Sequence, residues 1–219
     1  MSEREASFAR IREALSVKAV GHDGGLPSVI EQRGVLPAVG SADEERLAQF
    51  RKNAADLRAD FQQFPSEGDL MARVRELCQV EGWKKIATHN GKLAHAVAQS
   101  LGVPVLNTTE GYDKHELAAC DAGMTECDAL VAQTGSVLVT TLSAGGRALS
   151  CLPPHHIVVA RREQLVPDLP AALELLQQKY GTNYPSMISF ITGPSRTGDI
   201  ERILVLGAHG PKKLTILML

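Results

Sequence analysis

The chain has 219 residues, enough for one substantial hydrophobic core, and its 44% apolar and 22% charged residues are the proportions of an ordinary globular domain. With 23 basic and 25 acidic residues the formal net charge is -2, which leaves no electrostatic footprint for nucleic acid or for an anionic membrane surface. The longest apolar runs, residues 157–160 and 203–206, are far too short to span a bilayer, and charges are scattered through the first ten residues with no apolar stretch after them. No membrane span and no signal peptide are expected, and a cytoplasmic location follows.

In chain order, residues 3–15 predict a short amphipathic helix through Phe8, Ile11 and Leu15, and the glycines and prolines of residues 21–40 predict an extended connector. Ser41 with Glu44 fits a capping box, followed by Leu47, Phe50, Ala54, Leu57 and Phe61 on one face of a long helix. Ser66 with Asp69 opens the next helix, through Leu70, Val74 and Leu77, and Gly82 closes it. Residues 1–82 are therefore expected to form an N-terminal helical section.

From residue 83 the pattern alternates. Strands are expected at 85–88, 103–106, 130–132, 136–140, 157–160, 187–192 and 214–219, with residues 200–206 either helix or strand. Helices are expected after Asn90 as cap, over 146–152, and over 170–180 between Asp168 and Gly181. Strands alternating with helices predict an α/β domain over 83–219, an open, mostly parallel sheet with helices on both faces.

Several signatures are absent. There is no Gly-x-Gly for a dinucleotide fold, and Gly193-Pro-Ser-Arg-Thr-Gly198 is followed by Asp199 where a P-loop needs lysine. His115-Glu116 lacks the second zincin histidine, since Ala119 stands there. None of Cys78, Cys120, Cys127 and Cys151 forms a Cys-x-x-Cys pair, so neither a metal site nor an iron–sulfur cluster is suggested, and reduced thiols are expected. The cofactor is left unknown.

Three loops remain as candidate ligand-binding elements. Ser143-Ala-Gly-Gly-Arg147, with Gly145 and Gly146, offers backbone N–H groups and the Arg147 charge to an anion, or simply makes a tight strand-to-helix turn. Gly193-Pro-Ser-Arg-Thr-Gly-Asp-Ile-Glu201 brings Ser195, Arg196, Thr197 and Asp199 to a strand's carboxyl end; a capped helix with Arg196 paired to Asp199 or Glu201 explains it as well. In Gly207-Ala-His-Gly-Pro211, His209 is a candidate proton donor or acceptor, or a structural histidine. Of adjacent His155 and His156, one is expected to face inward and one outward. Glu126 is a candidate nucleophile or base, although a carboxylate in a turn is more often a solvated charge.

The string Thr134-Gly135-Ser, Ser143-Ala-Gly-Gly-Arg147, Leu152-Pro, His156-Ile-Val-Val and Glu163, with Gly193-Pro-Ser-Arg-Thr, Asp199-Ile-Glu201 and Gly207-Ala-His-Gly-Pro211, resembles the lactate-utilization (LUD) domain family. The glycine loop departs from it, reading Leu142-Ser-Ala-Gly-Gly where family members often have a Gly-Pro-Gly-like turn. The resemblance implies a fold similar to the sugar-phosphate isomerase, CoA-transferase and formyltetrahydrofolate cyclo-ligase superfamily. It also implies a part in a three-protein system oxidising L-lactate to pyruvate, as an accessory subunit beside iron–sulfur-bearing siblings. The alternative is a small-molecule enzyme or binding protein acting on a carboxylate, CoA ester or phosphorylated ligand. On either reading Thr134 and Gly135 join the loop residues as candidate contacts to a small anion.

Overall fold

The computed structural model describes residues 3–16, 37–197, 205–207 and 209–219. The chain separates into two compact units, residues 1–36 and 37–219. In the first, helix α1 (Glu3–Ser16) has the expected span, with Phe8 and Ile11 exposed. Up to residue 36 the expected connector lies outside the described residues, as do Asp199 and Glu201.

The second unit is built on a six-stranded sheet in the order β1 (Asp60–Gln63), β12 (Lys213–Met218), β7 (His155–Ala160), β4 (Ala122–Thr125), β2 (Ile86–Thr88), β3 (Val105–Asn107). Every pairing in it is parallel. Such a sheet is covered on both faces, so its central strands read as unbroken apolar runs, and all six residues of β7 are buried. On one face lie α3 (Glu67–Glu81) and α4 (Lys92–Gln99), whose Leu70, Val74, Leu93 and Val97 meet Ile86, Met124, Ile157 and Leu217. Against the other pack α2 (Asp43–Asp56) and α5 (Lys114–Ala118), and there Ala87, next to Ile86 in β2, contacts Leu117 of α5. The expected parallel sheet with helices on both faces is thus found.

A four-stranded sheet, β8 (Leu165–Val166), β5 (Ala129–Val131), β6 (Ser136–Thr140), β9 (Ile188–Ile191), contributes Leu130, Val137 and Val139 to the core shared with α2 and β12. Its outer face carries α6 (Leu169–Tyr180), through Ala172 and Leu176. Strands β10 (Arg196–Thr197) and β11 (Val205–Leu206) form a short antiparallel pair.

Local signals held where they were self-contained. Ser66 Oγ accepts the Asp69 N–H at 3.2 Å, Gly82 ends α3 at φ 67°, and the Asp168 side chain caps α6. Five expectations differ. Helix α2 starts one residue later, with the Glu45 carboxylate accepting the Ala42 N–H. It also stops before Phe61, which pairs with Ile216 in β1 and meets Phe50 edge-on at 5.0 Å. Residues 146–152 form turns, because Gly145 (φ 61°) and Gly146 (φ 115°) leave helical geometry just before them. Finally, Ser195 caps no helix, since Arg196–Thr197 is a strand, and His155 and His156 are both buried because both sheet faces are covered.

Candidate functional site

Sheet order locates the cleft. From β2 the chain crosses through α4 to β3 on one side, then returns through α5 to β4 on the other side of β2. The carboxyl ends of β2 and β4 therefore diverge at a topological switch point, where open α/β sheets leave a crevice. A cleft of about 370 Å³ lies there, lined by His89, Asn90 and Gly91 after β2, Thr109 after β3, Glu126 after β4, and Thr141, Leu142, Ser143 and Gly145 after β6.

His89 forms its floor and is 5% exposed. Its Nδ1 faces the Gly91 N–H at 3.2 Å and its Nε2 the Glu126 N–H at 3.3 Å. A neutral imidazole has one lone pair, so only one of these contacts is a hydrogen bond at a time. Burial pushes the His89 pKa below its usual value, against the pull of the Glu126 charge, and His95 lowers it further. The ring is neutral at pH 7.

Glu126 holds the first turn of α4 from a neighbouring strand. Its Oε1 accepts the Leu93 N–H at 2.7 Å and the Ala94 N–H at 3.2 Å, the role expected of Asn90. A carboxylate suits these orphan donors and the positive end of the helix. Asn90 instead accepts from the Asn107 amide at 2.6 Å, and its N–H donates to Thr109 Oγ1. Glu126 also borders a second cavity of about 210 Å³ with Lys92, Leu93, Val159, Arg161 and Gln164. Arg161 reaches Glu67 at 3.0 Å, while among the described residues no ion pair engages Lys92. A neutral polar cleft and a cationic one thus share one carboxylate.

The β6 loop is tied down by Asp128, whose side chain is fully buried. The carboxylate accepts from Ser143 Oγ at 2.6 Å, Lys179 Nζ at 2.6 Å and Tyr180 OH at 2.7 Å. Burial alone would raise its pKa, but these three donors outweigh it and hold the group below its usual range. At the other end of the loop, Thr108 Oγ1 donates to the Gly145 carbonyl at 3.0 Å.

The sequence candidates divide by position. Glu126, Ser143 and Gly145 line the cleft. Gly146 is adjacent, and Arg147 points away, donating to the Ser186 carbonyl at 2.8 Å. Thr134 and Gly135 make the turn at the opposite end of β6. Thr134 borders a separate groove with Leu169, Leu173 and Phe190, and Gly135 abuts α2, where a Cβ would lie 2.6 Å from the Ala54 nitrogen. Gly193, Ser195 and Arg196 lie toward the amino ends of β7 and β12, where the Ser195 N–H donates to the Pro211 carbonyl at 2.9 Å. Thr197 is in β10, and His209 is exposed on the segment leading into β12. The described residues of the three loops do not form one cleft. His89, Asn90, Thr109 and Asp128 were missed, for no local motif marks them. Among the described residues no group of three or more His, Cys, Asp or Glu side chains is placed to hold a metal ion, and no helix is long and apolar enough to cross a membrane.

This architecture has relatives. The chain is similar to lactate utilization protein C of Anoxybacillus flavithermus, 36% identical over 55% of this chain and 54% of that protein. It is 28% identical to lactate utilization protein C of Shouchella clausii over 79% of this chain and 78% of the other, and 24% identical to that of Bacillus velezensis over 100% and 96%. A crystal structure of a DUF162 family protein from Deinococcus radiodurans shares the fold, with a TM-score of 0.65 and 21% identity over 82% of this chain and 99% of that one. The LUD domain model matches residues 1–219, and the chain belongs to the LUD domain family.

Proposed function

We propose that this protein serves lactate utilization in the cytoplasm by binding a small polar anion in the cleft between the carboxyl ends of β2 and β4. The observation that carries this is the meeting of His89 and Glu126 at the switch point, under the Gly145 loop. The curated relatives' shared name, lactate utilization protein C, supplies the pathway. His89, Asn90, Thr109 and Ser143 suit the hydroxyl or carbonyl of a short hydroxy or keto acid, and Lys92 beside Glu126 suits its carboxylate or a phosphate.

Within that system the chain acts as an accessory subunit beside iron–sulfur-bearing partners and has no cluster of its own. Its four cysteines are dispersed in sequence, with no Cys-x-x-Cys pair. A second reading, an enzyme on a CoA-transferase-like fold acting on a carboxylate, CoA ester or phosphorylated compound, is favoured by one observation, Lys92 in the cavity adjoining Glu126, engaged by no ion pair among the described residues.

The test is complementation of a bacterium deleted for its own lactate utilization protein C. Wild-type chain should restore growth on L-lactate, and His89→Ala should not, at equal protein level. Equal growth with both would remove the cleft from the function. Co-purification with the iron–sulfur proteins under anaerobic, low-salt conditions tests the accessory role, and their failure to associate counts against it.

A further inference from the structure

We propose that the amino-terminal edge of the six-stranded sheet carries a second anion site, built on Arg58 and Lys212, that takes the carboxylate or phosphate of a small metabolite. A cavity of about 290 Å³ opens over the first residues of β1, β7 and β12, lined by Arg58, Asp60, Glu81, His155, Lys212 and Lys213 among others. That volume is at the small end of the range for metabolite pockets.

The charges there are unequally matched. Lys213 Nζ is held by both oxygens of Glu81, at 2.6 and 2.7 Å, and Asp60 accepts from Gln62 at 2.7 Å. Arg58 and Lys212 are exposed, and among the described residues neither enters an ion pair or a side-chain hydrogen bond. The Lys212 backbone is nonetheless fixed, since its N–H donates to the Pro154 carbonyl at 2.8 Å. In the cavity wall His155, 5% exposed, pairs Nε2 with Thr215 Oγ1 at 2.9 Å, and its Nδ1 is buried with no partner. Buried polar atoms ordinarily find partners, and among the described residues this one has none.

Backbone strain gives an independent pointer. Arg58 follows the last turn of α2 with φ 64°, the only non-glycine residue of positive φ among those described. Its N–H donates to the Ala55 carbonyl and the Ala59 N–H to that of Ala54, the hydrogen bonds of a helix end that glycine normally closes. An arginine there carries backbone strain that glycine would not. A guanidinium offers a planar fork for a carboxylate or phosphate.

Pro194 also lines the cavity, and the Gly207 N–H donates to the Ser195 carbonyl at 2.9 Å. The site is distinct from the His89 cleft, because the six-residue β7 separates its two ends by about 17 Å at the usual strand rise.

Full-length protein is titrated with sodium phosphate and with sodium pyruvate, against sodium chloride at matched ionic strength, by calorimetry and thermal melting. At least one of the two anions should bind and raise the melting temperature beyond the chloride control. In a His89→Ala background, which takes the cleft between β2 and β4 out of the count, one of the two anions should still bind, and adding Lys212→Gln or Arg58→Gly should weaken that binding by about tenfold or more, the loss of one charge-assisted contact. Arg58→Gly also separates ligand binding from structure. Glycine relieves the positive φ, so without anion this variant should melt higher than wild type while binding less. Binding of neither anion above chloride by the His89→Ala protein, or undiminished affinity when Arg58→Gly and Lys212→Gln are added to it, would each overturn the proposal.

Discussion

Gly145 lies against His89 with no room for a side chain: at φ 61° its added Cβ would overlap the His89 Cβ and sit 2.6 Å from Cγ. The close approach lets the β6 loop roof a histidine that follows a different strand, β2. Gly145→Ala should combine left-handed strain with a clash and cost about 2–4 kcal/mol. Gly146→Ala, at φ 115° with nothing within 4 Å, should cost only the strain, about 1–2 kcal/mol. Urea unfolding of the two variants checks the ranking, and equal losses would mean that the contact with His89 is immaterial.

Asp128 ties the same loop to α6. Asp128→Asn keeps the shape but weakens three charge-assisted contacts, to Ser143, Lys179 and Tyr180. Lys179 is half exposed and can regain water, so the expected loss is about 2–4 kcal/mol, below that of a wholly buried pair. The Asp128 pKa is depressed on folding, so the stability it contributes is present above the ordinary carboxylate range and is lost as pH falls through the folded value. The gap between variant and wild type should therefore persist from pH 7 to about pH 4 and close only in more acid solution, below the ordinary carboxylate range, which unfolding curves at pH 7 and at about pH 2.5 would show.

What could be read from the sequence was what is decided locally. Ser66 and Gly82 bracket α3 within 17 residues of one another, and the β5–β6 hairpin announces itself through the Thr134-Gly135 turn. Strand β1 was hidden because four residues, DFQQ, carry no period of their own and become a strand only by pairing with β12, some 150 residues later. The cleft was hidden for the same reason. His89 gains its meaning from Glu126, 37 positions away, and from Gly145 beyond it. The glycine-rich strings were legible as special backbone, yet backbone freedom at Gly193, where a Cβ would lie 2.6 Å from the Leu57 carbonyl oxygen, serves chain packing at the opposite edge of the sheet.

Glu126 separates a structural task from a ligand-binding one. Glu126→Ala leaves the Leu93 and Ala94 N–H groups without their acceptor and should cost about 1–2 kcal/mol, like the loss of an N-cap. Glu126→Gln keeps an acceptor oxygen and should lose less than half of that. If the carboxylate also serves the ligand, Glu126→Gln should fail to support growth on L-lactate despite near-normal stability. Full growth with Glu126→Gln would confine Glu126 to capping α4.

Acid should reveal the buried histidines. Burial lowers His155 to about 4 and His156 to about 3, each from 6.5, and lowers His89 as well. Nε2 of His155 and of His156 pairs with the hydroxyl of Thr215 and of Thr125 respectively, at 2.9 Å, and among the described residues Nδ1 has no partner in either ring; burial outweighs the pull of the Glu81 and Asp60 charges on His155. Below pH 6.5 the unfolded chain binds protons that the folded one refuses, so stability falls as pH drops. Each histidine contributes a slope of up to about 1.4 kcal/mol per pH unit, extending to about 4 for His155 and about 3 for His156. Between pH 6.5 and 5 most carboxylates stay ionised, so the histidines dominate there. Urea unfolding across that window should show a slope well above one proton, and His156→Gln should reduce it by close to one. A flat profile from pH 7 to 5 would mean that these rings open to water and take up protons in the native state.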